Sequence, residues 1–265
     1  MLTSALNFNY PESLIATEPR VNFRTMLVQK SPNWQNKSIS KSNLPTPKEI
    51  SKSDIFGLFQ KGDVLAINET RVMRRRVTTP NGLEILFLNE LHDMTNVWEV
   101  LFPAKQIKND ETILLPDGVT AKLLERGLPQ NIQTSISLTE EYFLKFGELA
   151  LPPYIQKARG ERHNRKNEEE LYQTAWAKNF GSHASPTASL HFTKQDLLAL
   201  QDRGVIIAPL TLHVGIGTFL PIKTVQLSEH KMHGEFATIS QSSIEAILRA
   251  KEQKHKVWAL GTTAV

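Results

Sequence analysis

The sequence predicts an α/β domain with a mixed, largely parallel sheet, into which a small antiparallel β-barrel domain is inserted. Two observations predict it. Between about residues 72 and 147, short apolar runs follow one another at close spacing, separated by turn residues and showing no helical period, which is the pattern of an antiparallel barrel. From Thr193 onward helix and strand alternate, which is the pattern of a parallel sheet covered by helices. A chain of 265 residues, 40% hydrophobic and 22% charged, is an ordinary globular composition with enough material for a core. The expected division is 1–71 with 148–265 as a discontinuous α/β domain and 72–147 as the inserted barrel domain.

Taken in order, Ser31–Lys52 is rich in Ser, Asn, Lys and Pro and reads as an exposed loop. Ile55–Phe59 precedes a Lys-Gly-Asp turn and the apolar run Val64–Ile67, a buried strand. Within Val72–Leu88 the Asn81-Gly82 pair marks a hairpin. Further strands are expected at Val97–Leu101, Thr112–Leu115, Ala121–Leu124 and Ile132–Leu138, with Pro116-Asp117-Gly118 as a turn. Two prolines in Leu151-Pro152-Pro153-Tyr154 halt regular structure, and the mixed-charge segment Lys157–Glu170 reads as a solvated loop and helix start. Thr193 caps a helix over Lys194–Arg203, Gly204 stops it, and Val205–Leu212 is a buried strand. Ser240 caps Ser242–Gln253, with Ile244, Ile247 and Leu248 on one face, and Val257–Leu260 is the last strand. The sequence then stops at Val265, where an α/β unit would normally continue into a helix.

Several chemistries are excluded at this level. With no cysteine there is no disulfide, thiolate metal site or cysteine nucleophile, and a cytoplasmic protein is expected. No apolar run approaches the roughly 18–20 residues of a membrane span, and the first ten residues lack a signal-peptide pattern. A net charge of +4 permits a nucleic-acid partner without demanding one.

Three groups of residues can carry chemistry. Gly215-Ile216-Gly217-Thr218 and Gly261-Thr262-Thr263 each follow a strand, where glycines let backbone N–H groups approach a ligand; a plain tight turn is the competing reading. Five of the eight histidines fall between His183 and His233. His230, His233 and Glu235, with His191 or His213, could form a zinc site; acid/base groups facing a polar ligand are the preferred reading, and satisfied interior histidines the bland one. Finally, Asn68-Glu69-Thr70-Arg71 ends a strand and leads into Arg74-Arg75-Arg76, with Arg71 suited to a carboxylate or phosphate. Three successive arginines cannot share one face, so at least one is expected on a solvated side.

Together these motifs resemble a known family. The ordered series Asn68-Glu69-Thr70-Arg71-Val72, Leu151-Pro152-Pro153-Tyr154-Ile155, Tyr172-Gln173-Thr174, Ala184-Ser185-Pro186-Thr187-Ala188-Ser189-Leu190-His191-Phe192-Thr193, Thr211 to Phe219, His230-Lys231-Met232-His233-Gly234-Glu235 and Gly261-Thr262-Thr263 resembles the S-adenosylmethionine:tRNA ribosyltransferase-isomerases of queuosine biosynthesis. That family has Asp where this chain has Glu69 and Gly where it has Ser189, and its members continue past the Gly-Thr-Thr turn into a C-terminal segment that this sequence lacks. The resemblance implies an α/β domain with an inserted barrel. It also implies transfer and isomerisation of the ribosyl part of S-adenosylmethionine onto a 7-aminomethyl-7-deazaguanine at the tRNA wobble position, giving epoxyqueuosine, adenine and methionine. S-adenosylmethionine is then a co-substrate, with no prosthetic group and no metal. The resemblance makes His191, His213, His230, His233 and Glu235 the catalytic candidates. Asn68, Thr70, Arg71, Pro186, Thr187, Gly215, Gly217, Thr218, Lys231, Met232, Thr262 and Thr263 become candidates for substrate binding, and Lys157, Arg159, Arg162, Arg165 and Lys166 for the tRNA backbone. Two other readings stand beside it: a non-catalytic tRNA-binding relic of the family, and a metal-dependent hydrolase built on the histidine cluster.

Overall fold

The computed structural model describes residues 1–17, 23–28, 46–103, 105, 107–108, 111–161, 163–165, 167–220 and 222–265. The elements begin with β1 (Thr25–Leu27), β2 (Lys48–Ile50), α1 (Lys52–Gly57), β3 (Val64–Asn68) and β4 (Thr70–Val72). Next come β5 (Arg76–Thr78), β6 (Glu84–Glu90), β7 (Val97–Leu101), β8 (Thr112–Leu114), β9 (Thr120–Glu125), β10 (Gln130–Thr134), α2 (Glu140–Phe146) and β11 (Gly147–Glu148). The remainder holds α3 (Pro153–Arg159), α4 (Glu168–Leu171), β12 (Asn179–Ser182), α5 (Lys194–Asp202), β13 (Ile206–His213), β14 (Phe236–Ile239), α6 (Gln241–Glu252) and β15 (Val257–Leu260). Most of the segment expected as an exposed loop, 31–45, lies outside the described residues; its end forms β2, which pairs with β1.

The helix-and-strand alternation builds a mixed four-stranded sheet of order β14-β13-β3-β15. β3 runs parallel to β13 and to β15, while β14 is antiparallel to β13. All five residues of β3 are buried, as its continuous apolar run requires for a strand covered on both faces. Alternation along β3 assigns the covers. Leu65 and Ile67 pack with Leu197 and Leu200 of α5, whereas Val64 packs with Ala246, Ile247 and Ala250 of α6. Both helices start at the expected hydroxyl caps: Thr193 forms a capping box with Asp196, and the Ser240 hydroxyl accepts the Ser243 N–H. The apolar stripe of α6 differs from expectation, because Leu248 is exposed and the small Ala246 and Ala250 face the sheet instead.

The short strands form one seven-stranded antiparallel sheet of order β11-β5-β6-β7-β10-β9-β8. The predicted hairpin joins β5 to β6, with Gly82 supplying the positive φ of the turn. Residues from β5 to β10, including Val77, Ile85, Trp98, Ile113, Ala121 and Ile132, share a single core with Tyr142 and Phe143 of α2. That sharing requires the sheet to curl, yet β11 and β8 do not pair with each other, so the expected closed barrel is an open, curled sheet. Helix α2 lies against this core.

Two local expectations are corrected. Pro153 opens α3 rather than halting structure, since the first helical position needs no N–H donor. The three arginines are not a solvated strand: Arg74 pairs with Glu169, Arg75 with Glu140, and Arg76, only 5% exposed, with Glu84 and Glu148. A further pairing escaped the sequence, β4 running parallel to β12. Among the described residues no helix is long and apolar enough to cross a membrane.

Asp63, 1% exposed, anchors the start of β3. Its carboxylate accepts the Lys256 N–H at 3.0 Å, the Trp258 indole N–H at 2.8 Å and the Gln60 N–H at 3.1 Å. Burial by itself would raise its pKa, but these donors outweigh burial and hold it below the usual carboxylate range. Asp63→Ala strands three donors and is expected to cost about 3 kcal/mol, read as a lowered urea midpoint with an unchanged slope.

Candidate active site

The carboxyl ends of β3, β13 and β15 point the same way, and the chain turns that leave them are fastened by side chains. Asn68, fully buried at the end of β3, donates from its amide to the Leu212 carbonyl at 2.9 Å and accepts from the Leu212 N–H at 3.1 Å and the Thr70 N–H at 3.0 Å. Thr70 is thereby set so that its hydroxyl oxygen lies 2.7 Å from His213 Nδ1. The imidazole is held on two further sides. It stacks on Phe236 at 6.4 Å between centroids, and it approaches Gly181 so closely that a Cβ there would meet the ring at 2.6 Å. Gly181, with φ +150°, is therefore needed for both its conformation and its space. Burial holds the His213 pKa below the ordinary histidine value, so the ring is neutral at pH 7.

Beyond His213 the chain turns at Gly215, whose N–H donates to Glu235 at 2.8 Å, and Gly217 packs beside His233. Gly215, His233 and Glu235, but not Gly217, line a cavity of about 740 Å³ between the four-stranded sheet and the curled sheet. That volume suits a small-molecule site. His213, Gly215, His233 and Glu235 of the predicted set share this cavity. Arg71 is exposed, its guanidinium 4.8 Å from the Phe180 ring that also lines the cavity.

The other predicted residues are placed elsewhere. Asn68 and Thr70, both buried, are taken up in shaping the turn, and Pro186 is buried too. His191 and Thr187 line a second cavity of about 860 Å³, where the His191 ring lies 4.5 Å from that of Phe23. Burial lowers the pKa of His191, and the Lys52 charge acts the same way. His230 lines neither cavity, and His230, His233 and Glu235 do not gather with His191 or His213 into a metal-binding group; among the described residues no such group exists. Lys231, Met232, Thr218 and Thr262 are exposed, while the Thr263 hydroxyl is buried without a partner among the described residues. Ser189, buried beside the Gly261 turn, donates its hydroxyl to the Leu260 carbonyl at 3.1 Å.

The basic segment is likewise less open than its composition promised. The Arg159 side chain is 2% exposed and pairs with Glu168 and Glu161, and Arg165 pairs with Glu161 at 2.9 Å. Lys157 is exposed, whereas Arg162 and Lys166 lie outside the described residues.

Sequence reasoning missed the curled sheet's contribution to the cavity around His213: Arg75 and Trp98 face it together with His183. The signals were present in the arginine run and in the histidine cluster, but nothing in the spacing brought them together. His183, 5% exposed, has its pKa pushed down to about 4, by burial first and then by the charges of Arg75 and His213. Between pH 6.5 and about 4 the unfolded chain therefore binds a proton at His183 that the native chain does not. Stability is complete above that window and falls as the pH drops through it, by roughly 3 kcal/mol from this group. His183→Val is expected to flatten the acid side of the stability profile, measured by urea titration at stepped pH.

The profile of the family described as queuosine biosynthesis protein matches residues 3–265. Relatives include the S-adenosylmethionine:tRNA ribosyltransferase-isomerase of Sulfurihydrogenibium sp., 34% identical over 100% of this chain and 76% of the relative. The enzyme of the same name from Desulfitobacterium hafniense is 36% identical over 97% of this chain and 73% of its own length. A crystal structure of S-adenosylmethionine tRNA ribosyltransferase from Thermotoga maritima aligns with a TM-score of 0.40 and 20% identity, covering 97% of this chain and 69% of that one. With the profile spanning nearly every residue and relatives above 30% identity along the whole length, this chain belongs to the queuosine biosynthesis protein family.

Proposed function

We propose that the protein is an S-adenosylmethionine:tRNA ribosyltransferase-isomerase whose reaction takes place in the cavity between the two sheets. Its substrates in this reading are S-adenosylmethionine and a tRNA carrying 7-aminomethyl-7-deazaguanine at the wobble position; its products are epoxyqueuosine in the tRNA, adenine and methionine. Family membership supplies the reaction class. The observation that carries the assignment of the site is the neutral, oriented imidazole of His213 at the carboxyl edge of the parallel strands, where open α/β sheets place their ligands.

The chemistry asks for a base to take a proton from carbon next to the sulfonium, an acid to assist departure of adenine, and exclusion of water from reactive intermediates. His213 fits the base. Its Nδ1 is engaged by Thr70, which fixes the ring plane, and its lowered pKa keeps it unprotonated at neutral pH. His233 faces the same cavity and is the candidate acid. Glu235 holds the Gly215 turn and brings a carboxylate to that wall, complementary to a sulfonium. Arg71, at the rim, is placed to meet a tRNA phosphate, and Lys157 to add non-specific attraction. The division into a discontinuous α/β unit and an inserted unit is part of this proposal; among the described residues β5 to β11 pair only with one another, which supports it. A cytoplasmic location follows from a tRNA substrate.

Incubation of the full chain with S-adenosylmethionine and such a tRNA should release adenine and methionine and yield epoxyqueuosine by nucleoside mass spectrometry. No product would reject the enzyme reading. His213→Ala is expected to lower turnover by about 10²–10⁴ with little change in tRNA affinity. The acid limb of the kcat/KM profile should lie below the ordinary histidine value, because burial lowers the pKa of a base that works unprotonated. A limb at or above pH 6.5 would remove His213 from that role.

A further inference from the structure

The cavity between the two sheets contains two buried polar groups that the proton chemistry does not use. The Nη2 of Arg75 pairs with Glu140, while its Nε and Nη1 are buried without a partner among the described residues. The rings of Phe143, at 4.0 Å, and Trp98, at 5.3 Å, cover the guanidinium, so its remaining valence lies in its own plane. His183 also lines this cavity, and its Nδ1 is buried without a partner among the described residues. Backbone pairing brings the two chain segments together, since the Met73 N–H donates to the Ser182 carbonyl at 2.9 Å. The pKa of Arg75 is lowered by burial, which its neighbours Glu140 and Glu90 only partly offset; a further anionic oxygen would relieve that. An unpaired buried donor costs about 1–3 kcal/mol, more when charged, and a native fold retains such groups where something else completes them.

We propose that Arg75 and His183 form the subsite for the carboxylate at the amino-acid end of S-adenosylmethionine. Arg75 donates to one carboxylate oxygen and the His183 Nδ1–H to the other. The inference rests on the reading of S-adenosylmethionine as the donor substrate. Two features favour this carboxylate over an RNA phosphate. Arg75 is 8% exposed, within reach of the end of a small molecule but not of a continuous sugar-phosphate chain. The same cavity also carries the carboxylates of Glu90, Glu99 and Glu235, which repel a polyanion and complement the sulfonium and ammonium of this ligand.

Calorimetric titration of the full chain with S-adenosylmethionine and with its decarboxylated analogue tests this. The wild-type chain is expected to bind the decarboxylated compound about 10- to 100-fold more weakly, the weight of a charge-assisted hydrogen-bond pair. Arg75→Gln should lose a similar factor toward S-adenosylmethionine and none toward the analogue, and His183→Val should lose part of it. Equal wild-type affinity for the two compounds overturns the subsite while leaving the enzyme reading standing. Weaker tRNA binding by Arg75→Gln with both small-molecule affinities unchanged overturns it in favour of a phosphate contact. Failure of the wild type to bind either compound rejects the donor reading and the subsite together. Should Arg75→Gln not fold, the wild-type comparison decides without it.

Discussion

The candidate site depends first on how the Asn68 amide is used. At the end of β3 it satisfies both the N–H and the carbonyl of Leu212 and also receives the Thr70 N–H, so one side chain joins β3 to the parallel β13 and shapes the turn from β3 into β4. The backbone carbonyl of the same residue accepts the Trp176 indole N–H at 2.9 Å. With every polar atom of a fully buried amide paired, the turn has little freedom, and Thr70 is delivered to His213 as a result. The imidazole's position thus depends on the pairing of β3 with β13, which delivers Thr70, together with the ring's own contacts to Phe236 and Gly181.

A second constraint is the disposal of charge around the arginine run. Arg76 is nearly inaccessible and reaches Glu84, Glu148 and the Asn164 side-chain oxygen, so it joins the curled sheet to the segment that follows β11. Arg159 and Glu168 make another buried pair in that segment. Buried pairs of this kind contribute little net stability once desolvation is counted, but losing one member leaves an uncompensated charge. Their effect is to allow one arrangement of these segments and to penalise others. Arg75 belongs to the same run and differs from Arg76 in lying at a cavity wall.

The cavity between the two sheets therefore draws on two different kinds of order. One wall is the carboxyl edge of a parallel sheet, where His213 and the Gly215 turn are positioned by main-chain pairing and by Glu235. The other wall is a curled antiparallel sheet, whose aromatic core of Phe87, Trp98 and Phe143 supports the guanidinium of Arg75. Main-chain pairing gives the first wall its directionality, and aromatic packing against the guanidinium fixes Arg75 on the second.

Local chemistry was legible in the sequence because it depends on neighbours along the chain. The caps at Thr193 and Ser240, the hairpin at Asn81-Gly82, the buried run of β3 and the alternation that yields parallel strands follow from residue type and period alone. The ordered motifs likewise sufficed to indicate the family. Tertiary structure decided which members of the histidine cluster meet: His213 and His233 share a cavity, His191 faces another and His230 neither. It also turned Asn68 from a ligand candidate into a strut, paired the basic residues Arg159 and Arg165 with glutamates, and brought Arg75 to His183 across 108 residues of chain. The physical reason is that caps and turns are satisfied within a few residues. Burial, ion pairing and the lining of a cavity depend on which surfaces two sheets present to each other, and that meeting has no period in the sequence.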